Sequence, residues 1–409
     1  MKKIPIFCFF FLCAVAVWAE EESENTPIRL KNRGFEIALL RTRIGFSNSF
    51  ITAKDVFQET MIIDLDKLTK DFRTELAAEI APAAINFNWK DIWGFGFDLG
   101  SVSTFGNIEI SGNLLQLNQT DLDKFGLGGA AYVDFGIPIF FHIRKLKIKL
   151  RPAVYLPLAY AEPGISYTFT EKANAFNIAI NYNMNVYSII SLKGIDSESY
   201  NYLEILGAIN TTTLGFDFNT EMEFPLYQWL DVGVNIRNIP LKPSLLNQYL
   251  RMSGEAFVDA SLIDIKNLIN GGKFPDHAYG YPKNFDLEYG TSEKKILRPF
   301  KVVSYAVFRP FKSTTILSFI PALGFAINPM HARPESIETG LKFRMDLANM
   351  FITTIGIDYE DRIWKNSINF IINLRAIEID IGASVESQDF KKSWQGAGAG
   401  IKFGLKLGW

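Results

Sequence analysis

Side chains that alternate between apolar and polar at every second residue recur along most of this chain. A clear example is the segment Trp93–Leu99, in which aromatic and aliphatic residues are separated by glycine and aspartate. Other examples are Leu214–Met222, Leu341–Leu347 and Ile377–Val385. A period of two is that of a β-strand, because successive side chains point to opposite faces of a sheet. The pattern predicts an all-β protein whose strands have one apolar face and one charged face.

The first 19 residues have the pattern of a secretory signal peptide. Two lysines precede the apolar run Ile4–Val17, and Val17–Ala19 matches a cleavage site with small residues at its first and last positions. This run is shorter than the roughly 20 residues of a membrane-spanning helix, and no later stretch reaches roughly 18 apolar residues. We therefore expect residues 1–19 to be removed and residues 20–409 to form a single domain.

Composition and cysteine content exclude several function classes. The chain has 42 Lys and Arg against 44 Asp and Glu, and charged residues make up only 21% of it. This balance argues against a protein that binds nucleic acid and against a disordered chain. Both cysteines, Cys8 and Cys13, lie in the predicted signal peptide. The mature chain therefore has no thiol, which excludes disulfides, cysteine-ligated metals and a cysteine nucleophile.

Two kinds of protein show this alternation: a soluble β-sandwich with its apolar faces inward, and a membrane β-barrel with its apolar faces outward. A sandwich of this length would divide into domains of about 100 residues joined by linkers, and the sequence shows no such linker. The repetition over most of residues 20–409 therefore favours a transmembrane, antiparallel, up-and-down β-barrel. A soluble periplasmic β protein is kept as an alternative.

The last strand favours the barrel most strongly. Phe403, Leu405, Leu407 and Trp409 alternate with lysine and glycine, and the chain ends on the aromatic residue. This pattern resembles the C-terminal assembly signal of bacterial outer-membrane barrels. The resemblance implies an outer-membrane location, contact with outer-membrane lipid and recognition of this strand by the barrel-assembly machinery.

Sixteen segments have the alternation of a spanning strand, and an even number is usual for bacterial barrels of one chain. They are 34–48, 75–88, 92–104, 126–141, 146–160, 164–171, 175–190, 207–224, 229–238, 296–309, 314–327, 337–347, 351–360, 367–375, 376–386 and 396–409. Fourteen strands is the alternative, because no turn residues separate 367–375 from 376–386. Residues 251–260 also resemble a strand but are assigned to the long loop 239–295. With both termini on the periplasmic side, nearly all long connections fall on the outer side.

Two segments in the longest outer loops have helical periodicity instead. Residues 53–72 place five apolar residues on one face, and residues 262–270 place three. Each of these short helices could enter the lumen as a constriction, cover the mouth as a lid, or pack on neighbouring loops.

No pattern of a catalytic, cofactor or metal site is found in the sequence. The three histidines, His142, His277 and His331, have no metal-type spacing, and there is no G-x-S-x-G motif. The run Gly396–Gly400 leads into a strand rather than a helix, so it is not a dinucleotide-binding fingerprint. Its small residues indicate packing beside a plug or at a tight position in the barrel. We therefore predict that the protein is not an enzyme and needs no cofactor.

Charged side chains on the polar face of the strands are the best candidates for function. They are Lys145, Lys147, Lys149 and Arg151 on one strand, Lys342 and Arg344 on a second, and Glu378, Asp380 and Glu386 as acidic partners on a third. In a water-filled lumen these charges would set an ion preference. In a plugged lumen they would form a structural network of salt bridges.

In its size, signal peptide, alternating strands and long outer loops, the chain distantly resembles outer-membrane barrels related to the FadL-type transporters of long-chain fatty acids. The resemblance implies uptake of hydrophobic molecules through the barrel wall. We accordingly expect an outer-membrane channel or diffusion-type transporter for small or hydrophobic solutes, of unknown solute identity. The alternative is a barrel that does not transport and acts through loop 239–295 as a surface adhesin or an assembly component.

Overall fold

The computed structural model describes residues 33–49, 72–89, 92–110, 125–162, 168–172, 175–192, 207–259, 279–311, 316–331, 334–374 and 376–409. In these ranges the chain forms a 21-stranded antiparallel sheet and a short helix. The strands are β1 Phe35–Asn48, β2 Phe72–Ala81, β3 Ala84–Trp89, β4 Trp93–Asp98, β5 Ser101–Ile110, β6 Phe125–Gly136, β7 Ile139–Ile143, β8 Leu146–Ala161, β9 Thr168–Lys172, β10 Ala175–Ser188, β11 Gly215–Tyr227, β12 Leu230–Lys242, β13 Ser244–Asp259, β14 Tyr279–Ile296, β15 Phe300–Phe308, β16 Leu317–Ile327, β17 Glu335–Leu347, β18 Phe351–Glu360, β19 Ile363–Asn373, β20 Ile377–Ser387 and β21 Ala399–Gly408, and the helix is α1 Phe390–Ser393.

Some of the predicted segments lie outside the described residues. These are the signal peptide 1–19 and the two loop helices 53–72 and 262–270, except that Phe72 begins β2. Among the described residues, no helix is both long and apolar enough to cross a membrane.

Fourteen of the strands close into a barrel. Their order around the wall is β1, β2, β5, β6, β8, β11, β12, β15, β16, β17, β18, β19, β20 and β21. The ring closes because β21 pairs with β1, from Glu36–Gly408 to Phe46–Ala399. Closure gives each wall strand a partner on both sides, so the wall presents no open edge to other chains. The predicted all-β, antiparallel barrel is confirmed.

Two of the sixteen predicted spanning segments are not part of the wall. Segments 164–171 and 175–190 correspond to β9 and β10, which pair with each other, while β10 also runs along β13. Only the end of β10, residues 186–188, pairs with the wall strand β8. Together with β13 and β14 these strands form a sheet that extends beyond the barrel. Residues 251–260, predicted as loop, fall mostly in β13.

The count of fourteen has a different origin from the alternative in the sequence. Segments 367–375 and 376–386 are separate strands, β19 and β20, which pair as a hairpin from Trp364–Ser387 to Asn373–Glu378. Alternation cannot separate a wall strand from a strand of the sheet beyond the barrel, because both have two different faces.

The two ends of the barrel differ in the length of their connections. At one end, which we call the turn end, Phe35 and Trp409 exchange backbone hydrogen bonds of 3.2 and 3.1 Å. Tight hairpins lie there, including one in which Ala348 and Asn349 both have the positive φ of a type I′ turn. At the other end, which we call the loop end, lie most of the longer connections and the sheet of β9, β10, β13 and β14. This separation agrees with the sequence.

The outer surface of the wall is apolar. Ile401 and Phe403 of β21 are exposed on it, as is Trp409, whereas Lys406 on the alternate face is buried. A continuous apolar surface of this kind suits lipid acyl chains and not water. The C-terminal strand therefore has a lipid-facing side, and its role as an assembly signal stays a prediction.

Aromatic rings gather at both ends of the wall. At the turn end, the rings of Phe35 and Trp409 have their centroids 4.8 Å apart. At the loop end, the Trp364 ring lies 4.9 Å from both Tyr359 and Phe390. Aromatic side chains prefer the interface between a membrane and water. The two groups therefore mark the borders of the lipid-facing band.

Replacing Leu341 by arginine tests which solvent the wall faces. Leu341 lies at the middle of β17 and is 54% exposed. Arginine at the midplane of a bilayer costs about 2–4 kcal/mol, whereas on a water-facing surface the change costs about 0.5 kcal/mol or less. We expect the larger loss in the free energy of unfolding, measured by denaturant titration in lipid vesicles. Glu293→Arg, beyond the barrel, is the control, and equal small losses would contradict a lipid-facing wall.

Three neighbouring wall strands are interrupted at one level. β2 and β3, β4 and β5, and β6 and β7 are consecutive parts of three wall strands, separated by residues 82–83, 99–100 and 137–138. We call these six residues the wall seam. Proline at 82 and at 138 lacks the N–H that a ladder requires, and Gly100 has a φ of 95°, which other residues rarely adopt.

Pairing across the seam is discontinuous. Between the second and third of these strands the ladder stops at Phe95–Ile139 and resumes at Ser101–Asp134. Leu99, on the outer side of the seam, is exposed. The regular ladder therefore joins the wall above and below this level. At the level itself, isolated backbone hydrogen bonds remain, such as those from the Gly96 N–H to Pro138 O at 2.7 Å and from the Leu99 N–H to Ala83 O at 2.9 Å.

Candidate functional site

The inner face of β8 carries a row of basic side chains. Lys147 Nζ lies 2.6 Å from Glu223 Oε1 on the adjacent strand β11. Lys149 and Arg151 line the interior of the barrel. Lys145 lies in the turn before β8 and is exposed. Three of the four predicted basic residues thus share the inner face, because they occupy alternate positions of one strand.

Arg151 joins the two sides of the wall seam from the inside. Its Nε lies 2.6 Å from Asp98 Oδ2 at the end of β4, and its Nη1 lies 3.1 Å from Asp134 Oδ2 on β6. The Arg151 side chain is only 5% exposed. On the outside Phe135 covers the seam, since a Cβ on Gly100 would lie 3.1 Å from its ring. The interrupted part of the wall is therefore covered on the inside by the ion pairs of Arg151 and on the outside by the Phe135 ring.

Arg298 extends this cluster toward the loop end. It lies between β14 and β15, and its guanidinium donates two hydrogen bonds to Asp217, of 2.6 and 2.7 Å, and one to Asp134. Its Cζ lies 5.1 Å from the centroid of the Tyr155 ring. Burial lowers the pKa of Arg298, and the two aspartates raise it by more. No periodic pattern marks this residue in the sequence, because it lies between two strands.

The predicted acidic residues pair with basic residues on β21 rather than with the row on β8. Glu378 Oε1 lies 3.2 Å from Lys406 Nζ, and Asp380 Oδ2 lies 3.1 Å from Lys402 Nζ. Glu386 accepts a hydrogen bond of 2.6 Å from a serine on its own strand. Salt bridges across a sheet form between adjacent strands, whose facing Cβ atoms are about 5 Å apart. Because β20 adjoins β21 and not β8, Glu378 and Asp380 form these ion pairs with β21.

The two remaining predicted charges also take part in ion pairs. Lys342 Nζ lies 3.7 Å from Asp358 Oδ2, and Arg344 Nη2 lies 3.1 Å from Asp346 Oδ2. Arg344–Asp346 and Lys147–Glu223 lie in the half of the lumen nearer the turn end, whereas Asp358 lies near the loop-end turn between β18 and β19. This half accordingly resembles the structural network of salt bridges that was one of the two sequence-based alternatives.

The half of the lumen nearer the loop end contains a cavity of about 220 Å³. Charged residues of both signs line it: Arg41, Arg43, Lys149, Arg151, Arg237, Arg298, Lys301, Lys365, Glu75, Glu79, Asp98, Asp134, Glu221, Asp361 and Glu386. A water molecule takes about 30 Å³ in the liquid, so the cavity can hold several waters or one small polar solute. Arg41, Arg43 and Arg237 were not among the lumen charges predicted from the sequence. Arg41 and Arg43 could have been, because they occupy alternate positions of β1 and so share one face.

A cluster rich in tyrosine closes this cavity toward the loop end. Tyr132, Tyr155 and Tyr160 are buried there with Met330. Tyr132 and Met330 also line the cavity, so the cluster forms its roof. Buried tyrosine hydroxyls need partners, and Tyr155 donates one hydrogen bond of 2.9 Å to the backbone oxygen of Ile296.

The three histidines and the glycine run Gly396–Gly400, which the sequence singled out, lie in different parts of the molecule. His331 is buried at the roof, His142 lies on β7 near the turn end, and His277 lies outside the described residues. The part of the chain that the structure describes contains no group of three His, Cys, Asp or Glu arranged to hold a metal. A Cβ on Gly398 would lie 2.3 Å from the backbone oxygen of Phe46, so this run permits the close approach to β1 that its small residues indicated.

The protein is a transmembrane β-barrel of the outer-membrane class. Three features define it: a closed wall of fourteen strands, an apolar outer band between aromatic groups, and a charged interior.

No family model and no curated protein matches the chain. Solved structures that are similar include a TodX deltaS2S3 mutant monoaromatic hydrocarbon channel, with 6% identity, coverage of 96% of this chain and 94% of that chain, and a TM-score of 0.43. The CymD monoaromatic hydrocarbon channel has 8% identity, coverage of 92% and 88%, and a TM-score of 0.42. The translocator domain of autotransporter NalP from Neisseria meningitidis has 6% identity, coverage of 93% and 90%, and a TM-score of 0.33.

Proposed function

We propose that this barrel is a passive channel through which small polar solutes cross the outer membrane by way of its lumen. The observation that carries the proposal is the cavity of about 220 Å³, enclosed by the wall and lined by charges of both signs. A hydrophobic solute there would displace water from charged side chains without replacing its hydrogen bonds, which is costly. A polar solute can replace those hydrogen bonds, so the lining favours polar over apolar passage.

A second, smaller cavity adjoins the first. Its volume is about 50 Å³, and it shares Arg43, Arg237 and Lys365 with the first cavity. It continues down the wall to Lys342 and Lys402, which are held by Asp358 and Asp380. The polar interior therefore extends beyond the first cavity, where these salt bridges narrow it.

Swelling of proteoliposomes tests the proposal. Purified protein, first shown to be folded by its slower gel mobility without boiling, is reconstituted into vesicles and diluted into isotonic solutions of sugars, amino acids and small organic ions. We expect swelling above that of empty vesicles, with rates that fall as solute size increases. Folded protein that gives neither swelling nor conductance in planar bilayers would refute a channel.

The wall seam favours a second candidate, passage of small hydrophobic solutes between the lumen and the membrane. Phe97, Leu99, Phe135 and Ile137 are exposed on its outer side, so an apolar solute could approach the interruption from lipid. Partition of a labelled aromatic hydrocarbon across vesicles would be faster with the protein than without it. If the protein speeds the transfer of the hydrocarbon across the vesicle membrane but lets no polar solute through, this candidate is favoured over the first.

A further inference from the structure

The turn between β16 and β17 reaches across the lumen. Its residues 328–331, which we call the plug turn, contact strands on the far side of the wall. Around the ring, β5 and β16 are six steps apart through β6, β8, β11, β12 and β15, in a wall of fourteen strands. Tyr160 on β8 donates a hydrogen bond of 3.2 Å to Pro329 O, and the Tyr132 hydroxyl on β6 lies 3.7 Å from Met330 Sδ.

The tip of the plug turn fits closely against β6. A Cβ on Gly128 would lie 2.1 Å from Met330 O, so only glycine allows the turn to seat there. Within the turn, the Asn328 side chain accepts a hydrogen bond of 3.1 Å from the Met330 backbone N–H. Asn328 and Met330 line the cavity, so the seated turn is part of its roof.

His331 fixes the plug turn to β2 and β5. It is 4% exposed, its Nδ1 lies 2.5 Å from Arg73 Nη2, and its Nε2 lies 3.0 Å from the same atom. The Asn107 amide nitrogen lies 2.9 Å from Nδ1, and its orientation is set because Asn107 Oδ1 accepts from the Gly128 N–H at 3.0 Å. The Phe105 ring meets the imidazole edge to face at 5.0 Å.

These partners require a neutral imidazole. A guanidinium and an amide nitrogen only donate hydrogen bonds, so Nδ1 must accept and cannot carry a proton. Protonation would remove that acceptor and place a second positive charge against Arg73. The seated position of the turn is therefore compatible only with the uncharged form of His331.

The other charged groups near His331 do not offset this effect. Arg73 is itself paired with Glu75 at 2.7 Å, and Arg362 approaches from the turn between β18 and β19. On β5, Glu109 occupies the alternate position after Asn107, whereas β6 and β8 present tyrosines. Burial, Arg73 and Arg362 together hold the pKa of His331 well below its usual value of 6.5.

We propose that the plug turn is an acid-sensitive gate, which protonation of His331 unseats so that the cavity opens toward the loop end. The gating of solute flow rests on the proposed channel function, whereas the movement of the turn does not. An unseated, solvated histidine takes up a proton near its ordinary pKa of about 6.5. Below that pH the ratio of unseated to seated protein rises by up to about tenfold per pH unit, until the seated form is protonated as well.

Swelling rates at two pH values test the gate. Between about pH 7.5 and about pH 5 we expect the rate for a neutral sugar to rise at least about fivefold in the wild type. His331→Gln keeps an oxygen that can accept from Arg73 and Asn107 but does not titrate, so its rate should stay low and flat. His142→Gln, at the opposite end of the barrel, should behave as the wild type does. A His331→Gln variant with the wild-type rise would overturn the proposal.

Thiol labelling gives a readout that does not depend on transport. The chain without residues 1–19 has no cysteine, so Met330→Cys introduces a single thiol, at a position that is 2% exposed. Its labelling rate by a polar maleimide, divided by that of Ser292→Cys on exposed β14, corrects for the pH dependence of the reagent. We expect this ratio to rise at least about fivefold on acidification, and to stay flat when His331→Gln is added.

The two readouts separate the gate from the channel. If the labelling ratio rises on acidification but no swelling is seen, the turn moves as proposed and the channel function is refuted. A ratio that does not change between the two pH values would refute the gate, whatever the swelling shows.

Discussion

Arg151→Ala is expected to lower the free energy of unfolding by about 3–5 kcal/mol, because it removes a buried cation that two buried carboxylates share. Arg151 contacts both Asp98 and Asp134, and Arg298 remains to hold only the second of them. The loss is measured by denaturant titration in lipid vesicles, followed by tryptophan fluorescence. The seam should open as well, so hydrogen exchange of the β5 and β6 amides beside it should become faster.

Arg251→Ala is the matched control for Arg151→Ala. Arg251 also pairs with a carboxylate, Glu288, at 3.3 Å, but both side chains are about half exposed. Exposed pairs contribute about 0–1 kcal/mol, so this variant should unfold nearly as the wild type does. Equal losses in the two variants would mean that burial of the Arg151 cluster does not determine its effect.

Gly128→Ala is expected to open the roof of the cavity at neutral pH. The added Cβ would lie 2.1 Å from the backbone oxygen of Met330 and 2.8 Å from Asn107 Oδ1. Backbone atoms cannot move aside as a flexible side chain can, so the plug turn must leave its seat. We expect the rate of proteoliposome swelling at about pH 7.5 to approach that of the wild type at about pH 5.

Gly106→Ala controls for the loss of a glycine from this part of the wall. Gly106 lies on β5, opposite Gly129 in the ladder, and a Cβ there would meet no atom within 4 Å. Its swelling rate should equal that of the wild type. If Gly128→Ala is folded and its rate stays as low as that of Gly106→Ala, the plug turn does not close the cavity.

The barrel itself was predictable because its cause is local. Alternation with a period of two places Lys147, Lys149 and Arg151 on one face of β8, and places Phe403 and Trp409 on the outer face of the C-terminal segment. The charged interior and the apolar exterior both follow from this rule. The rule gives only the side of a strand on which a residue lies, and not the strand's neighbours. It therefore assigned β10 to the wall, although β10 pairs mainly with β13.

The plug turn and the seam cluster were not predictable from the sequence, because they depend on contacts between distant segments. His331 and Arg73 are 258 positions apart, and only closure of the ring brings them together. Arg298 has no periodic neighbour that would mark it, and the acidic partners of Arg151 come from β4 and β6 rather than from β20. Pro82, Gly100 and Pro138 were visible in the sequence, but their common level follows only from strand register.

The interrupted strands also determine how the cylinder carries load around its circumference. Above and below the seam, each strand passes tension to the next through a row of backbone hydrogen bonds, which share it evenly. Between the second and third interrupted strands the regular ladder stops at Phe95–Ile139 and resumes at Ser101–Asp134, and the Gly96 N–H donates to Pro138 O in between. The charged contacts of Arg151 with Asp98 and Asp134 reinforce this stretch. Load around the barrel therefore passes through fewer backbone hydrogen bonds at this level, and the cross-section is most compliant there.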